Sequence, residues 1–196
     1  MWPWEHVLLA YIFYSILCHI QYSRSPNEIP VVAVAVGSLF PDIVDKPLAW
    51  QYGVFETGWG IAHSVFFALP FSILIYLLFR YRGNENIGGA FAIGYLLHLP
   101  ADVIPVSLNR GKLYLDPILW PVGNPTVGRD HESFSDGFLY LLTQYGQQIL
   151  AGDITLALAI QLGTVILGLA LWVFDGTPGL KLVLRPVRKY GSRRIQ

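Results

Sequence analysis

Charge is what this sequence has least of. Only 13% of its 196 residues are Asp, Glu, Lys or Arg, against about 25% in a typical soluble domain, and that scarcity argues against a soluble globular fold. Acids and bases cancel to a formal net charge of zero, so no bulk attraction for nucleic acid or an acidic partner is expected. Cysteine is nearly absent: Cys18, alone in an apolar run, excludes an intrachain disulfide. No basic segment precedes the first apolar stretch and no small-residue cleavage site follows it, so a cleaved signal peptide is not expected. Internal repeats are lacking too, and the basic C-terminal tail is the one biased segment.

What is present is apolar. Hydrophobic residues make up 54% of the chain, and they fall in runs near the roughly 20 residues that a helix needs to cross a ~30 Å hydrocarbon core. Spans are expected at Trp4–Ile20, Gly60–Phe79, Ile87–Val106 and Ile154–Phe174. The run Ile29–Phe40 is short, rising only ~18 Å as a helix; it crosses if it continues through Asp42 towards Val44, and is re-entrant otherwise. Between Gly137 and Leu150 the residues Phe138, Leu141, Leu142, Tyr145 and Ile149 recur at helical spacing among glutamines, the pattern of an interfacial amphipathic helix. The expectation is an all-α polytopic bundle of four to five transmembrane helices plus that interfacial helix. Residues 1–180 form a single membrane-embedded domain, and 181–196 are a basic tail.

The basic residues orient such a bundle. With five spans, one side collects nine of the thirteen Lys and Arg, around Arg24, around Arg80 and Arg82, and in the tail. That side is read as cytoplasmic, which puts the protein in the plasma or inner membrane with its C-terminus inside. The tail is read as an anchor near anionic lipid rather than a nucleic-acid binder. Trp2, Trp4 and Trp120 suit the aromatic belt.

On the opposite side the same topology gathers ionisable residues, each of which is costly at membrane depth and so a functional candidate. His6 opens the first span, Asp42 and Asp45 close the second segment, His63 enters the next, and His98 and Asp102 lie in the outer half of the following one. His98 and Asp102, four apart, share one helix face; Gly94, four residues back, leaves that face open, and Pro100 permits a kink. Imidazoles with one or two carboxylates form the first shell of zinc and similar divalent sites, where a bound water becomes a nucleophile near neutral pH. Singly, each piece has a plainer reading: His6 as an interfacial residue, Pro41-Asp42 as a helix-ending turn, Ser64 as a helix cap, His98 and Asp102 as a hydrogen-bonded pair. Their convergence on one face favours a metal or proton site. His19 falls at the other face and is left out.

These residues also carry a resemblance. The order His6, Pro41-Asp42-Ile43-Val44-Asp45, His63-Ser64, Gly94-Tyr95-Leu96-Leu97-His98 with Asp102, then Asp116-Pro117-Ile118-Leu119-Trp120-Pro121 resembles the inner-membrane-associated metal-dependent hydrolases, a family also labelled LexA-binding. The Met1-Trp2-Pro3-Trp4-Glu5-His6 start is similar to archaeal members, and the likeness covers residues 1–121. It implies a multi-span helical hydrolase with His6, Asp42, His63, His98 and Asp102 as metal ligands. A more distant likeness, in ligand order, is to the zinc-dependent phospholipase C fold. Its later His with Glu four residues on is missing here, since His131-Glu132 has the wrong spacing, so one or two ions are expected rather than three.

The leading expectation is a membrane-bound metal-dependent hydrolase of a phosphoester or lipid-linked substrate, using zinc, manganese or magnesium. Asp45, behind the ligands or as general base, and His131 are its catalytic candidates. Two other classes stay open. A transporter or proton pathway would show inverted repeats and ionisable residues at both faces. A non-catalytic regulator would act through the tail or the outer loop, and would tolerate His98→Ala.

Overall fold

The computed structural model describes residues 1–123, 125, 134–152, 154–182 and 184, without the side chains of Phe134 and Leu141. His131 and all of the basic tail beyond Leu184 lie outside the described residues. Among the described residues every regular element is helical: α1 (Pro3–Tyr22), α2 (Glu28–Trp50), α3 (Val65–Tyr81), α4 (Glu85–Arg110), a 3₁₀ turn (Asp116–Ile118), α5 (Phe134–Ala151) and α6 (Leu156–Phe174).

Local chemistry fixes the helix starts. Pro3 opens α1, where a missing N–H costs nothing, and the Glu5 carboxylate reaches back to accept from Trp2 N at 2.8 Å. Ser64 caps α3 by accepting from Phe66 N, and Thr155 caps α6 by accepting from Leu158 N. The short apolar run at residues 29–40 does not stop at Pro41. α2 continues through Pro41 and Pro47 to Trp50, about 34 Å for its 23 residues.

That continuation rests on packing against α4. A Cβ added at Gly94 would stand 2.2 Å from Val34 O, and one at Gly37 2.2 Å from Phe91 O, so the two backbones touch where both side chains are missing. The face that Gly94 leaves clear is therefore filled by the backbone of α2. Tyr95, Phe91 and Leu99 of α4 pack with Ala68 of α3, while Tyr11, Tyr14 and Cys18 of α1 pack with Val31, Val34 and Ala90.

The polarity is inverted relative to a soluble bundle. Glu5, His6, Asp42, Asp45, His63, His98 and Asp102 are buried, while Phe13, Ile16, Ile20, Ile73, Leu74, Leu77, Ile166, Leu167 and Phe174 face outward. An apolar exterior of that extent asks for a non-aqueous neighbour. By length and composition α4 and α6 are able to cross a membrane, and α3 is apolar but 17 residues long. α1 and α2 are long enough, but α2 carries Glu28, Asp42, Asp45 and Lys46. Two helices thus meet the test where four to five spans were expected.

Candidate metal centre

The start of α1, the end of α2, the segment before α3 and the second half of α4 meet at one end of the bundle. Asp42 Oδ1, His63 Nε2, His98 Nε2 and Asp102 Oδ2 converge there. His63 Nε2 is 3.1 Å from His98 Nε2, 3.4 Å from Asp42 Oδ1 and 3.6 Å from Asp102 Oδ2. His98 Nε2 is 3.7 Å from Asp42 Oδ1 and 3.5 Å from Asp102 Oδ2. Ligands about 2.1 Å from a tetrahedral ion stand roughly 3.4 Å apart, so these five separations match five of the six edges of a metal-sized tetrahedron, and all four ligand atoms lie within 4.8 Å of one another. All four residues are buried, and together they can hold a metal ion.

The tautomers say why a cation is wanted. His63 Nδ1 lies 2.8 Å from Asp45 Oδ2 and His98 Nδ1 lies 2.6 Å from Ser38 O. A carboxylate and a carbonyl only accept, so each ring carries its proton on Nδ1. The two Nε2 lone pairs then point at each other across 3.1 Å. A proton shared between them would relieve that pair alone. It would leave both Asp42 oxygens without a hydrogen bond, although Lys46 Nζ stands 2.7 Å from Oδ2 as an ion pair.

Asp45 organises the segment that delivers His63. Its Oδ2 accepts from Gly60 N, His63 N and His63 Nδ1 and its Oδ1 from Ala62 N, all within 3.1 Å. Tyr95 Oη donates to Ala62 O at 2.7 Å and clamps the same turn to α4. The carboxylate behind an imidazole fixes its ring and raises its basicity as a ligand. With donors on both oxygens, Asp45 stands behind His63 as its positioning carboxylate.

His6 lies beside the four. Its ring stacks on His98 at 3.8 Å, and Nε2 is 3.1 Å from Asp102 Oδ1 at an angle that makes no hydrogen bond. Asp102 thus divides its oxygens: Oδ1 faces His6 and the Met1 amine at 2.8 Å, while Oδ2 faces the two other histidines and accepts from Trp59 Nε1 at 3.2 Å. Trp59 and Lys46 escape a search for ligand types. Lys46 had a visible signal, four residues beyond Asp42 on the same face; Trp59, distant in sequence, had none.

The fold and this cluster define an all-helical protein with an apolar exterior and an internal acid–histidine centre able to take a metal. The chain belongs to the YdjM inner membrane protein family, whose model matches residues 1–177. That membership assigns it to the inner membrane and to contact with the lipid bilayer. No curated protein and no solved structure matches the chain.

Proposed function

We propose that this protein is a membrane-embedded metal-dependent hydrolase. The observation that carries the reading is the pair of Nε2 atoms facing each other across 3.1 Å between two buried carboxylates, with all four ligand atoms within 4.8 Å of one another. Asp42, His63, His98 and Asp102 are the ligands. His6, 3.1 Å from Asp102 Oδ1, is a ligand to a second ion when one is bound. Two imidazoles and two carboxylates suit zinc first and manganese next, with magnesium the least apt because it prefers an all-oxygen shell.

The chemistry such an ion supplies is Lewis-acid activation of water, whose pKa falls towards about 7. The protein's own part is positioning. Asp45 holds His63 and Ser38 O holds His98, while Trp59 fixes Asp102. The carboxylate nearest the centre with an oxygen turned away from it is Asp42, and its Oδ2 is the position for a general base once Lys46 swings off it. His131 is retained as a helper from the outer loop. In a phosphoester, water's hydroxyl goes to phosphorus and its proton to the departing alkoxide.

The bundle has the polarity that a multi-pass reading asks for. α1, α2, α3 and α4 alternate in direction, so all ligands reach one end, and α1 and α6 end together at the other, where His19 meets Asp175. We assign that other end, with Arg24, Arg80 and Arg82, to the cytoplasm. The hydrolase assignment is tested with detergent-purified full chain supplied with zinc, manganese or magnesium and offered phosphodiesters and phosphomonoesters. Metal-dependent release of product that vanishes in His63→Ala supports it; no turnover of any ester by a metal-loaded chain sinks it. A proton pathway is less favoured, because the cluster lies at one end of the bundle and not along its length.

A further inference from the structure

A cavity of about 550 Å³ opens between α1, α2, α5 and α6, within the size range of ligand pockets. Trp2, Leu39, Ile43 and Phe138 line it, and Trp50 closes it beside Lys46. The charged side chains on it, among the described residues, are Asp42 and Lys46. These two sit one helical turn apart and are paired at 2.7 Å, so the cavity's charge is concentrated at one place. Asp42 is also a member of the metal group. The cavity is thus apolar over most of its wall, carries the uncharged polar groups of Gln144, Gln148 and Gln161 on its α5 and α6 side, and meets the candidate metal centre at the Asp42–Lys46 pair.

Each feature narrows the occupant. The apolar wall excludes a small hydrophilic ester, which would leave most of the volume unfilled by any partner. Ile43 is among the exposed apolar residues of α2, so the opening lies on the surface that a bilayer covers and a lipid tail reaches it without crossing water. Lys46 is the discriminating group. With a cation in the centre, the Asp42 charge is offset twice, and the ammonium becomes available to an anion. Burial of the Lys46 stem, 18% exposed as a side chain, makes that charge count for more than a solvated surface lysine would.

We propose that this cavity binds the hydrocarbon part of a membrane lipid whose phosphorylated head lies against Lys46 and the Asp42 edge of the metal centre. The proposal rests on the hydrolase reading for its consequence, since it makes lipid phosphoesters the substrate class. The binding itself does not depend on turnover.

The test uses the full chain in detergent, with retention of added lipid read by native mass spectrometry and metal content read on the same samples. The probes are dioleoyl phosphatidic acid, uncharged dioleoylglycerol and inorganic phosphate. Phosphatidic acid is expected to bind one per chain, about tenfold tighter than dioleoylglycerol, and to resist displacement by phosphate. Ile43→Trp, which fills the mouth, and Lys46→Met, which removes the charge, should each lower its retention about tenfold. Metal content of these variants reports that the bundle is folded, and Ile16→Trp on the outer face of α1 should bind as the parent does. Equal retention of the charged and uncharged lipids, unchanged retention in both variants, or displacement by phosphate would overturn the proposal. Selective retention by a chain that takes no metal would keep the lipid site and sink the hydrolase. Metal uptake without selective retention would do the reverse.

Discussion

Two carboxylate clusters stand at opposite ends of α1, and they use their lone pairs differently. At the far end, Asp175 accepts from Tyr11 Oη and Ser15 Oγ at 2.5 Å each, and from His19 Nε2 at 2.7 Å. Every acceptor there has a donor, and the histidine is partly open to the surface. At the near end acceptors face acceptors: imidazole nitrogen against imidazole nitrogen, with two carboxylates around them. The first cluster is complete as it stands and ties α1 to the end of α6. The second has Lys46 on Asp42 Oδ2 and the Met1 amine on Asp102 Oδ1, while Asp42 Oδ1, Asp102 Oδ2 and the two imidazole nitrogens converge on a point where a cation would meet all four. A histidine and an aspartate close together say little; whether their hydrogen-bond ledger closes says much.

The contrast can be broken most severely at Asp45. Asp45→Ala strips the acceptor from three backbone amides and from His63 Nδ1, and should cost about 3–5 kcal/mol in a thermal melt together with the bound metal. Asp175→Ala, whose donors can turn to water, should cost less than half of that. Gly94→Ala drives a methyl into Val34 O and parts α2 from α4; we expect about 1–3 kcal/mol and weaker metal binding, because His98 loses Ser38 O as its guide. Trp59→Phe keeps the ring and removes the donor to Asp102, which should weaken metal affinity by about 10-fold with little change in the melt.

The smallest effect expected is the pH dependence of the Asp175 interaction. Burial would raise its pKa, but the donors Ser15, Tyr11 and His19 hold it below the ordinary carboxylate value. A carboxylate depressed in the fold stabilises above its unfolded pKa of about 3.9 and loses that contribution as the pH falls through the lower folded value. The stability difference between the parent and Asp175→Asn should therefore be flat from neutrality down to about pH 5 and shrink only below about 4. A difference that already changed between about pH 7 and 5 would contradict this assignment to the Asp175 carboxylate.

Long apolar periodicity made most helices legible. α1, α4 and α6 fall within a few residues of the runs Trp4–Ile20, Ile87–Val106 and Ile154–Phe174, and α5 covers the amphipathic stretch Gly137–Leu150. The extent of α2 stays open in the sequence, between a crossing helix and a re-entrant one, because Pro41 and the charges Asp42, Asp45 and Lys46 interrupt its pattern. Packing on α4 overrides that local signal. The span expected from Gly60 begins as a helix only at Val65, since Asp45 claims the amides of Gly60, Ala62 and His63. The residues of the centre were visible as ionisable groups converging on one end. Their division of labour was not: a backbone carbonyl at Ser38, an indole at Trp59 and a carboxylate behind His63 act across the fold, and no spacing announces them. Glu5 is a further case, buried and tied to Tyr145 of α5 and Gln161 of α6 where the sequence shows only an acid in the first turn.

The claim on which the rest depends is that the near cluster takes a metal and the far one does not. Elemental analysis of detergent-purified protein measures this directly, in the parent and in His63→Ala, His98→Ala and His19→Ala. The account predicts near-stoichiometric divalent metal in the parent and in His19→Ala, and its loss from both His63→Ala and His98→Ala. A parent that stays metal-free after reconstitution with zinc and manganese, or one whose metal survives His63→Ala and His98→Ala alike, would contradict it.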